Sequence, residues 1–136
     1  MMNVVVMGCG RIGTQIVTTL WKEGHRVTVL DSVGESFLSL PKEFREMENA
    51  TYVSDGILVE ELIEAGIQHA DVFIAVSNRD NRNALAAQKA QHIFNTPKVV
   101  CRVGDPERQE MYNNLGLATV SSTKVTSTLI LEAVLQ

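Results

Sequence analysis

A glycine-rich segment near the start of the chain most constrains how it can fold. Gly8, Gly10 and Gly13 lie between an apolar run at 4–7 and a helix-like stretch at 14–22. In this spacing the first glycine permits a tight turn, the second lets the backbone approach a pyrophosphate, and the third lets the helix pack closely on the strand. The unpaired N–H groups of the helix then face an anion. The segment therefore predicts a strand, turn and helix that together bind phosphate.

An acidic residue ends the next apolar run, 27–30. Asp31 lies 18 positions past Gly13, close to the roughly 20 expected for a carboxylate that binds ribose hydroxyls. Because the carboxylate would repel a 2′-phosphate, the pocket is predicted to prefer NAD or adenine mononucleotides over NADP. Alternatively, Asp31 caps the turn before Ser32 and Val33. One carboxylate can do both, since each of its oxygens accepts more than one hydrogen bond.

Composition excludes several other classes of protein. The 136 residues fit one domain, and a net charge of −4 argues against binding nucleic acid by general electrostatic attraction. Cys9 and Cys101 have no metal-ligand spacing, so no metal site is predicted and a reducing cytoplasm is expected. No apolar run approaches the roughly 18 residues of a membrane span, so the chain is expected to be soluble.

Short β-branched runs alternate with helical patterns along the chain. The apolar runs lack polar alternation, which is typical of parallel strands covered by helices on both faces. The runs lie at 3–7, 27–30, 51–53, 72–76, 99–103 and 118–120. The helical patterns lie at 11–22, 36–44, 58–65, 82–94, 106–114 and 123–135, with Pro41 interrupting the second. The sequence predicts a single α/β domain built on a doubly wound, Rossmann-like, six-stranded parallel sheet.

The last helical pattern is the one candidate for a separate unit. We predict a nucleotide-binding domain over 1–121 and a C-terminal helix over 122–136. Its apolar positions recur at helical spacing and must cover either this sheet or a partner: Val125, Leu129, Ile130, Ala133 and Val134. Because the sequence ends there, we expect this face to pack against a second copy in a dimer.

Five ordered segments resemble one known family. They are Gly8-Cys9-Gly10-Arg11-Ile12-Gly13, then Asp31, Asp55-Gly56, residues 70–78 and residues 101–106. The chain resembles the nucleotide-binding half of the RCK (KTN) family, cytosolic regulators of Trk and Ktr potassium transporters and related channels. It departs from the pattern at Ser54, where the family commonly has glycine, and the 136 residues include no segment that resembles the family's C-terminal regulatory lobe, as expected either of a free-standing subunit or of a piece of a larger protein.

The residues and the resemblance together predict a binding site. A cation at the start of the first helix indicates that Arg11 clamps a phosphate. The resemblance implies that Asp55 contacts adenine or its ribose, although it alternatively caps the following helix. Arg102 is expected to direct a second positive charge toward phosphate or else to pair with Asp105. The predicted cofactor-binding residues are Gly8, Cys9, Gly10, Arg11, Ile12, Gly13, Asp31, Ser32, Asp55, Gly56, Val76, Ser77, Asn78 and Arg102.

The resemblance implies a regulatory subunit and not an enzyme. Such a subunit would bind NAD or NADH, or alternatively ATP, ADP or AMP, and would gate a membrane-embedded potassium transporter or channel through ligand-dependent conformational change. It would be a homo-oligomer in the cytoplasm, held at the inner face of the membrane by its partner.

Two other functions stay open from sequence alone. One is an NAD-dependent oxidoreductase or a fragment of one, although no cluster typical of a catalytic site is visible. The other is a structural dimerisation module, which predicts no rise in melting temperature with nucleotide. Cys9 is expected either to be a redox-sensitive thiolate among helix N–H groups or to be a small side chain packed into a crowded loop.

Overall fold

The structure is a computed structural model that describes residues Met1–Gln136. A six-stranded sheet, parallel throughout, forms its centre in the order β3-β2-β1-β4-β5-β6. The strands are β1 Asn3–Met7, β2 Arg26–Asp31, β3 Thr51–Val53, β4 Val72–Ala75, β5 Lys98–Arg102 and β6 Ala118–Val120. The chain winds outward from β1 to β3, then returns to the other side of β1 with β4. This arrangement confirms the predicted doubly wound, Rossmann-like sheet.

Helices connect the strands. They are α1 Arg11–Lys22, α2 Lys42–Arg45, α3 Val59–Glu64, α4 Asp80–His92, α5 Pro106–Asn114 and α6 Ser122–Leu135. The predicted helix at 36–44 is instead a 3-10 helix, Gly34–Ser39, followed by the short α2. Pro41 separates them because it has no N–H to continue a helix. A second 3-10 helix, Ile67–His69, was not predicted.

The core lies on both faces of the sheet. Successive side chains of a strand point to opposite faces, so Val4 and Val6 join one apolar cluster while Val5 and Met7 join the other. All four are buried, as expected for a central parallel strand. The register that this packing fixes brings the carboxyl ends of the strands to one edge of the sheet.

Helix α6 is anchored only at its base. Ser121 caps it, because its Oγ accepts a hydrogen bond from the Lys124 N–H at 3.2 Å and donates to the Gly104 carbonyl at 3.2 Å. Every residue of α6 after Ser122 is exposed, including the predicted apolar face. That this face packs against a second copy stays a prediction. None of the six helices combines the length and the apolar content that a membrane crossing requires.

Candidate functional site

A cleft of about 640 Å³ opens at the carboxyl edge of the sheet. It lies over the ends of β1, β2, β3, β4 and β5, where the strand order reverses between β1 and β4. In open parallel sheets this reversal leaves a crevice, because the connections on its two sides run in opposite directions. The cleft is therefore where this fold is expected to hold a ligand.

The three glycines of the fingerprint have different structural roles. Gly8 has φ +110°, and a Cβ there would lie 2.6 Å from the Ser77 nitrogen. A Cβ on Gly13 would overlap the carbonyl oxygen of Gly8. At Gly10, in contrast, a Cβ would meet no neighbouring atom within 4 Å, and the residue is exposed in the cleft. Two glycines thus permit close packing of the protein, while the third leaves open space for a ligand.

Asp31 joins the end of β2 to the glycine loop. Its Oδ2 accepts a hydrogen bond from the Cys9 N–H at 2.8 Å, and its Oδ1 accepts one from the Val33 N–H at 2.8 Å. The second bond is the turn-capping role that the sequence offered as an alternative. Each oxygen retains capacity for a further hydrogen bond, and the carboxylate lines the cleft. Asp31 can therefore shape the loop and accept ligand hydroxyls together.

Ser54 and Asp55 form the cleft wall beyond β3. Ser54 is buried, and its Oγ donates to Glu61 Oε2 at 3.0 Å while accepting from the Gly56 N–H at 3.0 Å. Asp55 Oδ1 accepts from the Ile57 N–H at 3.1 Å. The alternative that Asp55 caps the following helix is wrong, because α3 begins at Val59 and has Leu58 at its cap position.

A buried asparagine holds the loop after β4. Asn83, on α4, is fully buried, and its Oδ1 accepts from the Ser77 N–H at 3.0 Å and the Ser77 hydroxyl at 2.6 Å. Its Nδ2 donates to the carbonyls of Ser77 at 2.9 Å and Arg102 at 3.0 Å. One side chain thus fixes the ends of two neighbouring strands at the cleft.

Arg102 connects the cleft with α6. Its Nη1 donates to the Ser77 carbonyl at 3.3 Å, and its Nε donates to Ser122 Oγ at 3.2 Å. The alternative pairing with Asp105 is wrong, since the salt bridge of Asp105 is to Arg108, at 3.9 Å. Asp105 also caps α5 through the Glu107 N–H. Arg102 is half-buried and is one of the residues that line the cleft.

Cys9 faces the protein and not the cleft. It is buried, with its Sγ 3.6 Å from both Thr14 Oγ1 and the Ser36 carbonyl oxygen. Burial raises the pKa of the Cys9 thiol above its ordinary value, and burial raises the pKa of Cys101 to about 12. A protonated, buried thiol is a poor nucleophile. The structure thus favours the packing interpretation of Cys9.

The cleft brings together most of the residues that the sequence singled out. All the predicted cofactor-binding residues line it except Cys9, Gly13 and Gly56, which support its walls from behind. Residues that line the cleft without having been predicted are Met7, Leu30, Val33, Ser36, Ser54, Arg79 and Arg82. The two arginines follow β4, but a cation next to the start of a helix is also typical of a solvated surface.

The doubly wound sheet, the glycine loop and the acid at the end of β2 define a Rossmann-like domain of the nucleotide-binding class. Comparison with known families gives a narrower assignment, since the family model of the TrkA-N domain matches residues 4–123. The chain belongs to this family.

Relatives with assigned names agree with this. The chain is 37% identical over 134 residues to the Trk system potassium uptake protein TrkA of Streptomyces coelicolor, covering 98% of this chain and 59% of that protein. It is 31% identical over 131 residues to a TrkA homolog of Methanothermobacter thermautotrophicus, covering 96% and 59%. The chain thus spans about three-fifths of the length of these relatives.

Solved structures share the fold. The TrkA-N domain of the Escherichia coli inner membrane protein ybaL has a TM-score of 0.83 at 14% identity, covering 96% of this chain and 95% of that one. A Kef C-terminal domain of Shewanella denitrificans in AMP-bound form has 0.79 at 22%, covering 97% and 79%. GsuK bound to ADP has 0.77 at 20%, covering 95% and 32%. Likeness at this level of identity establishes the fold alone.

Proposed function

We propose that the cleft binds an adenine nucleotide. The observation that carries the proposal is the position of the Asp31 carboxylate beside the glycine loop, where Gly10 leaves open space. The carboxylate suits ribose hydroxyls, and the amino end of α1 suits phosphate oxygens. The fourteen predicted binding residues are proposed to form or support this site.

We infer a regulatory role in potassium transport. The relatives named above are Trk potassium uptake proteins, and the match to the Streptomyces protein extends over 98% of this chain. The proposed partner is a membrane-embedded potassium transporter or channel subunit, which would hold this chain at the cytoplasmic face of the membrane. Nucleotide occupancy would bias the partner between states by binding one conformation more tightly than the other.

The residues of the cleft favour regulation over catalysis. Besides carboxylates and serines, the side chains that most often transfer protons or form covalent intermediates are histidine, lysine, cysteine and tyrosine. None of these four lines the cleft. The two carboxylates, Asp31 and Asp55, each accept a hydrogen bond from a backbone N–H. We therefore propose no hydride transfer or other reaction at this site.

The candidate ligands are NAD, NADH, ATP, ADP and AMP. Two proteins of the same fold are described with AMP and with ADP, and all five ligands present an adenosine with unmodified ribose hydroxyls. NADP is expected to bind most weakly, because its 2′-phosphate would meet the negative charge of Asp31.

Thermal shift tests the proposal. A ligand at about 100 times its Kd stabilises the native state by about 2.7 kcal/mol, which raises the Tm of a domain this size by roughly 10 °C. We expect Asp31→Asn to reduce affinity roughly 10- to 100-fold, since it removes charge-assisted acceptors. The shift at fixed ligand concentration should therefore shrink markedly.

Asp71→Asn is the matched control. The Asp71 carboxylate also accepts a backbone N–H, from Asn3 at 2.7 Å, but lies at the opposite edge of the sheet. Both substitutions remove the negative charge of a carboxylate that accepts a backbone N–H, whereas only Asp31→Asn should lose ligand response. A wild-type Tm that none of the five nucleotides raises would refute the proposed function.

We further propose that α6 transmits the ligand signal. Arg102 touches both the cleft and the first residue of α6, and α6 has no buried residue to hold it elsewhere. Phosphate oxygens are stronger acceptors for guanidinium than a serine hydroxyl. A nucleotide that draws Arg102 toward the cleft would thus loosen the base of α6. The exposed apolar face of α6 is proposed to pack against a second copy, so loosening would alter an assembly.

Hydrogen exchange tests this route. We expect nucleotide to change amide exchange over residues 122–135 in the wild type, because the Arg102–Ser122 bond competes with the ligand. Ser122→Ala should abolish the nucleotide-dependent change and should raise affinity modestly and not lower it, since Ser122 does not line the cleft and its bond to Arg102 no longer competes with the ligand. Thr126→Ala, an exposed change on the same helix, should behave as wild type. If amide exchange of α6 in the wild type is the same with and without nucleotide, signal transmission through Arg102 and Ser122 is contradicted.

A further inference from the structure

The cleft has an acidic half and a basic half. Across the sheet, Asp55 follows β3, Asp31 ends β2, and the glycine loop follows β1. Beyond the loop, Arg79 and Arg82 follow β4, and Arg102 ends β5. The charges are thus separated along the direction in which a nucleotide would extend from ribose to phosphate.

No carboxylate neutralises the basic half. The two salt bridges of the structure, Lys42 with Glu46 and Arg108 with Asp105, involve none of the cleft arginines. Asp80, between the two arginines in sequence, turns away and accepts the N–H groups of Gly104 at 2.9 Å and Asp105 at 3.3 Å. The arginines of the cleft therefore face it without an acidic partner within salt-bridge distance.

The side chains of Arg79 and Arg82 also have no structural task of their own. Neither guanidinium donates a hydrogen bond to the protein, whereas Arg102 bonds to two neutral oxygens. Arg79 precedes α4 and Arg82 lies in its first turn, where the helix dipole disfavours a cation. An anion in the cleft would remove that disadvantage, because it would offset the positive end of the helix dipole.

Strand spacing sets which part of a ligand would reach them. Neighbouring strands lie about 4.8 Å apart. With ribose at the end of β2 and the first phosphate at the β1 loop, the ends of β4 and β5 lie one and two spacings further on, about 5 and 10 Å. AMP ends at the loop. In ADP and ATP the β- and γ-phosphates continue toward β4, whereas in NAD the uncharged second ribose and the nicotinamide lie beyond the pyrophosphate.

We infer that Arg79 and Arg82 recognise a terminal phosphate beyond the first, so that the cleft selects nucleoside triphosphates and diphosphates over AMP, which has none, and over NAD, whose second phosphate is esterified and carries less charge. The inference rests on the proposed nucleotide site and names its ligand class. Arginine suits this role because its planar fork of donors matches phosphate oxygens. Selection follows from charge: each added phosphate brings negative charge to a region that holds unpaired positive charge.

Calorimetry with ATP, ADP, AMP and NADH tests the inference. We expect wild-type affinity to fall in the order ATP, ADP, AMP, with NADH well below ATP. The double variant Arg79→Gln/Arg82→Gln should lose roughly 100-fold in ATP affinity, on the scale of two charge-assisted hydrogen bonds. Its affinity for AMP should change far less. Because neither side chain bonds to the protein, the variant should keep the wild-type Tm without ligand.

The matched control removes two positive charges from the other edge of the sheet. Arg26 and Lys98 are exposed first residues of β2 and β5, and neither side chain forms a hydrogen bond or salt bridge. Arg26→Gln/Lys98→Gln should therefore leave ATP affinity near the wild-type value. An equal loss of ATP affinity in both double variants would show that net charge, and not the position of Arg79 and Arg82, sets the affinity, and it would overturn the inference.

Two further outcomes separate this inference from the proposed function. One outcome is that the wild type binds AMP as tightly as ATP, or that Arg79→Gln/Arg82→Gln loses affinity for AMP and ATP equally. Arg79 and Arg82 then do not recognise the additional phosphates, while the proposed nucleotide site stands. If the wild type binds none of the four ligands, the proposed site itself fails.

Discussion

Gly13→Ala is expected to destabilise the protein by about 3 kcal/mol or more, lowering its Tm by roughly 10 °C. The new methyl group would overlap the Gly8 carbonyl oxygen, which belongs to backbone and cannot rotate away. Helix α1 must then move off β1, opening the packing of Val17 against the sheet. Urea unfolding monitored by circular dichroism measures the loss in the free energy of unfolding.

Gly10→Ala is the control for this prediction and tests the site as well. Gly10 has φ −81°, which alanine adopts, and no neighbouring atom within 4 Å of a Cβ. We expect the free energy of unfolding to stay within about 0.5 kcal/mol of wild type. Nucleotide affinity should nevertheless fall, because the methyl group occupies space through which phosphate would approach the loop. Equal destabilisation by both substitutions would contradict the division of roles among the glycines.

The fold was predictable because its signals are local and repeated. The runs at 3–7, 51–53 and 118–120 match β1, β3 and β6 to the residue. Strands β4 and β5 each end one residue before the predicted end, since the last ladder pairings, Ala75 with Cys101 and Arg102 with Val120, and not hydrophobicity, fix where the strands stop. Helix α4 begins at Asp80 and not at 82. The segment around Pro41 divides into the 3-10 helix Gly34–Ser39 and the short α2, because Pro41 has no N–H with which to continue the preceding helix.

The site was predictable where it follows strand ends and less so where it depends on contacts distant in sequence. Asp31 and Ser77 lie at carboxyl ends of parallel strands, which must converge at one edge. Arg102 instead bonds to Ser122, 20 positions away, while sequence proximity suggested Asp105. No local pattern reveals such a partner. Arg79 and Arg82 were missed for the related reason that a charged side chain near a helix start is usually solvated.

Asn83→Leu is the second substitution with a large expected effect, because it should lower the free energy of unfolding by about 3 kcal/mol. Leucine has about the size of the buried asparagine side chain. It cannot form hydrogen bonds, so the Ser77 N–H and the carbonyls of Ser77 and Arg102 would lose the bonds they make with Asn83. Unpaired buried polar groups cost about 1–3 kcal/mol each. Because the Ser77 loop lines the cleft, nucleotide affinity should fall with stability.

Asn83→Asp separates loss of hydrogen bonding from loss of shape. The change keeps size and the acceptor toward the Ser77 N–H, but it replaces the donor toward two carbonyls with an oxygen. Burial against carbonyl oxygens raises the pKa of the new carboxyl above about 3.9. Because the native pKa is raised, the stabilising contribution of the new carboxyl in its protonated form is fully present below the unfolded pKa and is lost as pH rises through the native pKa. The loss in the free energy of unfolding of Asn83→Asp relative to wild type should therefore be smaller at pH 4 than at pH 7, whereas the loss of Asn83→Leu should be the same at both.

Urea unfolding at the two pH values measures both losses. A loss for Asn83→Asp that is the same at both pH values would show that the amide donor does not fix the loop after β4.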